Sequence, residues 1–227
     1  MLHKETVAPQ TLDLIKRLFK DAKLSDFVLV GGTALSLQIG HRISIDIDLF
    51  NDKPFDAANI ASHLQKNYNT ENVKTLKNGV FCFIDDIKVD VMSHQYPWVK
   101  APIVSEGIRM VSLEDIGAMK LHAIVQSGSR LKDFIDIYFL LGQLSFQDLF
   151  GFYEKKYPDT SKAVVQKALL YDNDIKPSSI DMIGKSIDFE RIAARIKESI
   201  LNPSKTFSQQ KTNQDLTVRK RKRGRGI

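Results

Sequence analysis

One cysteine in 227 residues, Cys82 in the run VFCFI, excludes an internal disulfide and a cysteine-cluster metal site. It suits a reducing compartment, and its apolar neighbours make it core filler. No apolar run approaches the roughly 20 residues that span a bilayer, and the opening MLHKETVAPQTLDLIKRLF lacks the apolar stretch and cleavage site of a secretory leader. The expectation is a cytoplasmic protein without a membrane partner. P-loop, Rossmann and Ser-His-Asp signatures are all missing. His41, His94 and His122 show no metal-ligand spacing, so they are read as surface or hydrogen-bonded histidines, and Trp98, beside Tyr96 and Pro97, as loop packing.

What is present begins with charge. The chain carries a net +6, yet the last nine residues, RKRKRGRGI, hold six Lys or Arg and no acid; without them 27 basic residues face 27 acidic ones. The basicity is therefore a property of the tail. After the polar stretch NPSKTFSQQKTNQDLT, such a tail buries too little apolar surface to fold alone, and residues 203–227 are expected to be disordered. The tail is either a grip on RNA phosphates or a solubilising appendage.

Periodicity organises the rest. Residues 8–23 have helical spacing at Leu12, Ile15, Leu18 and Phe19, and DFVLV reads as a buried strand ending at Gly31-Gly32. Thr33 then stands as a cap for a short helix, TALSLQIG, followed by a strand, ISIDIDLF, and a helix in PFDAANIASHLQKNY. Turn signals at Asn78-Gly79 and Asp85-Asp86 predict strands near 72–77, 80–84 and 87–93. Past Pro102 the pattern is helical almost throughout. This predicts an α+β domain over 1–105, with a small mixed sheet flanked by helices, and a helical domain over 106–202, on separate cores or a shared one.

The strand ISIDIDLF carries the functional signal. Its alternation turns Ser44, Asp46 and Asp48 to one face, and in IKVDVMSH the same alternation presents Asp90. Three converging carboxylates repel unless neutralised, and a hard divalent cation, Mg²⁺ above all, is the usual partner when phosphates share its coordination. Gly31-Gly32, between a buried strand and a helix, would let backbone N–H groups approach a polyphosphate. Further on, Lys120 projects beside small and apolar side chains, and Asp133 and Asp136 sit three apart on one helix face. Asp133 has a simpler reading as an exposed pair with Arg130. Asp136, among Phe134, Ile135, Ile137 and Tyr138, has either a function or a buried partner. Arg42 either clamps phosphate or holds Asp46 or Asp48 as a structural ion pair.

The run VGGTALSLQIGHRISIDIDLF, the later VDVM, and MKLHAIVQSGSRLKDFIDIYFLL, over roughly residues 27–142, resemble the AbiEii/AbiGii toxin family of the polymerase-β-like nucleotidyltransferase superfamily. The resemblance implies a nucleotidyltransferase fold with a helical C-terminal part, and metal-dependent transfer of a nucleotide from an NTP, using Mg²⁺ or alternatively Mn²⁺. It implies a toxin of a type IV toxin–antitoxin or phage-defence system with a cognate antitoxin, and RNA, perhaps the 3′ end of a tRNA, as acceptor. Gly31, Gly32 and Thr33 fall on the phosphate loop, where family members frequently have Gly-Ser. In the motif Arg-x-Ser-x-Asp-x-Asp that Arg42 opens, Ser44 falls on the hydroxyl before the carboxylates and Asp46 and Asp48 on the metal pair, with Asp90 on the third carboxylate. Lys120 falls on a phosphate contact, and either Asp133 or Asp136 completes the catalytic set. The alternatives are a protein or small-molecule hydroxyl as acceptor, or a catalytically silent nucleotide- or RNA-binding regulator.

Overall fold

The alternating segments between residues 70 and 93 form a three-stranded meander, because each run is closed by residues that tolerate left-handed backbone. In the computed structural model, which describes residues 1–176, 178–184 and 186–207, these are β3 (Thr70–Leu76), β4 (Gly79–Ile84) and β5 (Ile87–Ser93). Asp85 and Asp86 both have positive φ, 51° and 64°, as a two-residue hairpin turn between Ile84 and Ile87 requires.

Strand β5 pairs in parallel with β2 (Ile47–Asn51), and β2 pairs antiparallel with the short β1 (Val28–Leu29). The strand expected from Ile43 thus begins only at Ile47; Ile43 to Asp46 form an irregular approach, on which Ile45 is 68% exposed. Two further strands arise just before the first expected helix, where the sequence pattern named no element: β6 (Ile103–Ser105) and β7 (Ile108–Met110), a hairpin whose second arm pairs in parallel with β1. The sheet runs β3-β4-β5-β2-β1-β7-β6.

Eight α-helices accompany the sheet among the described residues: α1 (Pro9–Lys20), α2 (Gly31–Ile39), α3 (Ala57–Asn67), α4 (Leu113–Gln126), α5 (Leu131–Leu140), α6 (Phe146–Lys156), α7 (Lys162–Leu170) and α8 (Phe189–Leu201). Side-chain caps start several of them. Asp56, Ser112 and Asp188 each accept from the third helical amide, and Ser145 forms a reciprocal capping box with Asp148. Helix α4 packs on α2, α5, α6 and α7. One continuous hydrophobic core joins Leu14, Leu49 and Val89 to Leu121, Phe134, Leu149 and Ile192. Residue 105 thus lies within a hairpin of the shared sheet. Cys82 is buried in that core and unpaired.

Of the segment expected to be disordered, residues 203–207 instead pack back on the helices: Phe207 N–H donates to Leu141 O and Gln147 N–H to Pro203 O. The remainder, including the basic run, lies outside the described residues. No described helix is long and apolar enough to cross a membrane.

Candidate active site

Ile47 and Leu49 point into the core, so strand alternation turns Asp48 to the opposite face. The parallel register sets Asp48 opposite Asp90, between the apolar pairs Ile47–Val89 and Leu49–Val91. Two carboxylates are thereby fixed side by side on neighbouring strands. Asp46, one residue before β2, keeps a third of its side chain exposed, with Lys132 Nζ 3.8 Å away. Burial first, then Asp90 and Asp46, raise the Asp48 carboxyl above the ordinary carboxylate range.

Gly31 and Gly32 open α2 directly above this pair. Gly31 has φ +69°, and a Cβ there would lie 2.4 Å from Asp48 Oδ2; a Cβ on Gly32 would lie 2.2 Å from an Arg42 Nη. Any side chain at either position would collide with the site, and at Gly31 it would also strain the backbone. The first amides of α2 have no acceptor within the helix, and Gly31 and Gly32, which carry two of them, line a cleft. That cleft, about 240 Å³, is lined at this end by Gly31, Gly32, Ser44, Asp46, Asp48, Arg130 and Lys132.

A buried ion network forms the wall behind it. Asp136, wholly inaccessible, accepts from Arg42 Nε (2.7 Å) and Nη2 (3.0 Å) and from His41 Nε2 (2.8 Å), and lies 2.6 Å from Lys120 Nζ. Lys120 also donates to Asp133 (2.7 Å), whose other oxygen meets Arg130 Nε at 2.8 Å. Burial alone would raise the Asp136 carboxyl, but Lys120 and Arg42 override it and hold it well below the usual range. Burial pushes His41 down despite Asp136, so His41 is a neutral donor and its buried Nδ1 has no partner. The segment carrying Arg42 is pinned from behind: Ile43 N–H donates to Asp181 O and Ile183 N–H to His41 O. Nothing in the sequence pattern announces this return of the chain between α7 and α8.

Several sequence expectations change in detail. Arg42 pairs with Asp136 rather than with Asp46 or Asp48. Asp133 does meet Arg130, but as a buried carboxylate shared with Lys120. Thr33 lies inside α2, whose N-cap is Val30; its hydroxyl donates to the Asp46 carbonyl and sits 2.9 Å from Ser44 Oγ, which braces the strand approach. Asp90 Oδ2 meets Lys88 Nζ at 2.5 Å, while its buried Oδ1 has no partner. No group of three or more His, Cys, Asp or Glu among the described residues is preassembled around a metal position.

The opposite end of the cleft was missed by the sequence reading. It is lined by Phe50, His94, Met119, His122 and Tyr157. The signal lay in the same alternation: Phe50 follows Asp48 by two residues, and Met92 and His94 follow Asp90 by two and four. Trp98 packs a loop, as expected, under the Lys156 ammonium 4.6 Å from its ring centre.

The family described as Nucleotidyl transferase AbiEii toxin, Type IV TA system, matches residues 13–216. An uncharacterised protein of Aquifex aeolicus (strain VF5) is 34% identical over 158 residues, 67% of this chain and 76% of that protein. A Helicobacter pylori protein provisionally assigned as a nucleotidyltransferase superposes with a TM-score of 0.51 at 18% identity, over 87% of this chain and 96% of that one. The antibiotic-resistance factor ANT(2'')-Ia superposes with a TM-score of 0.50 at 16% identity, over 64% of this chain and 91% of that one. At such identities the likeness is one of fold.

Proposed function

We propose, from the premise that this chain belongs to the nucleotidyl transferase AbiEii toxin family of type IV toxin–antitoxin systems, that it transfers a nucleotide from an NTP to a hydroxyl of an RNA, the 3′ end of a tRNA being the first candidate. The observation that carries the reading is that Asp46 and Asp48 line one cleft with the Gly31-Gly32 turn, while Asp90 stands in register beside Asp48 on the neighbouring strand. In this reading the α2 amides and the cations Arg130 and Lys132 hold the triphosphate, and the acceptor oxygen attacks the α-phosphorus in line with departing pyrophosphate.

The carboxylates fit a hard divalent ion. Asp90 retains a buried oxygen without a partner, and Asp48 is raised first by burial and then by the negative charge of Asp90 and Asp46, which a cation would offset. Asp46, Asp48 and Asp90 would hold Mg²⁺ or Mn²⁺, which when bound lowers the pKa of the attacking hydroxyl and offsets developing charge. Asp136 has a different part. Enclosed by His41, Arg42 and Lys120 and held strongly acidic, it is a poor proton acceptor; it positions Arg42 beneath Gly32, and Lys120 braces the cleft wall.

The basic run at 219–227 supports RNA as the acceptor through counterion release. Its deletion is expected to weaken RNA binding and flatten its salt dependence, measured by filter binding at several salt concentrations, while NTP affinity stays constant. The family also implies a cognate antitoxin, with phage defence as a setting for the pair. The deciding experiment incubates the purified protein with each α-labelled triphosphate, Mg²⁺ and total cellular RNA. Label on RNA, lost in Asp48→Asn, is the expected result. Label on protein alone would overturn RNA as acceptor, and no label with any triphosphate would overturn transfer itself.

A further inference from the structure

The cleft has two ends of opposite chemistry. At about 3.3 Å per residue, Phe50 stands roughly 7 Å beyond Asp48 along the same strand face, with Met92 as its register partner and His94 just past the end of β5. Helix α4 adds His122, and Tyr157 follows the end of α6. The His122 ring lies parallel to that of Tyr157, with centroids 4.1 Å apart and planes 10° apart. The Tyr157 hydroxyl is 2.8 Å from His94 Nε2. Burial, reinforced by Lys156 and His122, pushes His94 down to about 4, so its imidazole is uncharged at neutral pH, and burial also lowers His122. This end therefore offers ring faces and neutral hydrogen-bonding edges, while Arg130, Lys132 and the glycine turn gather at the other. Core packing alone would not leave Phe50, His94 and His122 only partly buried and lining an open cleft.

We propose that the aromatic end receives the base of the nucleoside triphosphate, with Phe50 and His122 supplying stacking faces and the His94–Tyr157 pair reading the base edge. The inference rests on the reading that the Asp46–Asp48 end takes the phosphates. A base is the planar, uncharged, edge-polar group that matches this lining, and the strand spacing sets it beyond a sugar whose phosphates lie at the glycine turn.

The test is calorimetric binding of the full chain, with Mg²⁺, to each of the four triphosphates and to inorganic tripolyphosphate. The wild type is expected to bind at least one triphosphate more tightly than tripolyphosphate. His122→Ala is expected to weaken that triphosphate about tenfold while leaving tripolyphosphate unchanged, which also verifies the fold. Tyr157→Phe keeps the ring and removes the hydroxyl, and is expected to compress the differences among the four triphosphates. His122→Ala that weakens tripolyphosphate equally, or that weakens neither ligand, would overturn the base site. If Asp48→Asn abolishes transfer while His122→Ala leaves nucleotide affinity intact, the base site alone fails; a wild type that neither binds triphosphate nor transfers label overturns both readings.

Discussion

Asp48 carries its charge where the fold disfavours it. Its carboxyl is raised in the folded protein, by burial and by Asp90 and Asp46, so the folded state gives up stability as pH climbs through that raised value. Below the ordinary carboxylate range the group is protonated, folded or unfolded, and the penalty is absent. Asp48→Asn is therefore expected to raise the melting temperature at pH 7, a gain that fades as the pH falls below about 4, while nucleotide transfer drops more than about a hundredfold. Asp136 has the opposite sign. Its carboxyl is depressed, so its contribution is present above the ordinary carboxylate range and is lost as pH falls toward the depressed value. Asp136→Asn, which leaves the buried Arg42 without its carboxylate, is expected to cost about 3–5 kcal/mol in urea unfolding. Gly31→Ala is expected to cost about 1–2 kcal/mol for its left-handed backbone and to abolish transfer, because the new methyl group would occupy the space of Asp48 Oδ2.

At the scale of elements, what the sequence disclosed depended on how local the cause was. The β3–β4–β5 meander was legible because each turn is written in two residues. The carboxylate face was legible at Asp48 and Asp90 because alternation holds inside β2 and β5, and it broke at Ile43–Asp46, where Ser44 N–H bonds to Thr6 O and Ile43 N–H to Asp181 O instead of to a strand. Those partners lie far away in sequence, as do the Asp136 partners His41 and Arg42, so no window of periodicity contains them. Strands β6 and β7 escaped because three residues each are too few for a pattern. The same distance hides the tie between α4 and α6. Asp115 and Lys156 meet at 2.9 Å, both fully buried, and Asp115 also accepts the amides of Val99 and Lys100, fixing the loop that follows His94. Lys156→Ala leaves the buried Asp115 carboxylate without its cation and is expected to speed hydrogen exchange at Val99 and Lys100 before the sheet is affected.

On the scale of the whole molecule, the aromatic end of the cleft is built from a strand face and two helices that a boundary at residue 105 would assign to different units. One core runs through both. Far- and near-ultraviolet circular dichroism are accordingly expected to report a single coincident urea transition; two separated transitions would show that the helical part folds independently. Architecture and chemistry are linked through this shared core, because Asp48 and Asp90 come from the sheet, Lys120, Lys132 and Asp136 from α4 and α5, and His41 and Arg42 from the link between α2 and β2 that the segment before α8 pins in place. The most direct measurement is an anomalous difference map from crystals soaked with Mn²⁺ and a non-hydrolysable triphosphate. The account predicts a manganese peak within coordination distance of Asp48 and Asp90, with the triphosphate against Gly31 and Gly32. A triphosphate bound elsewhere, with those carboxylates bare, would contradict it.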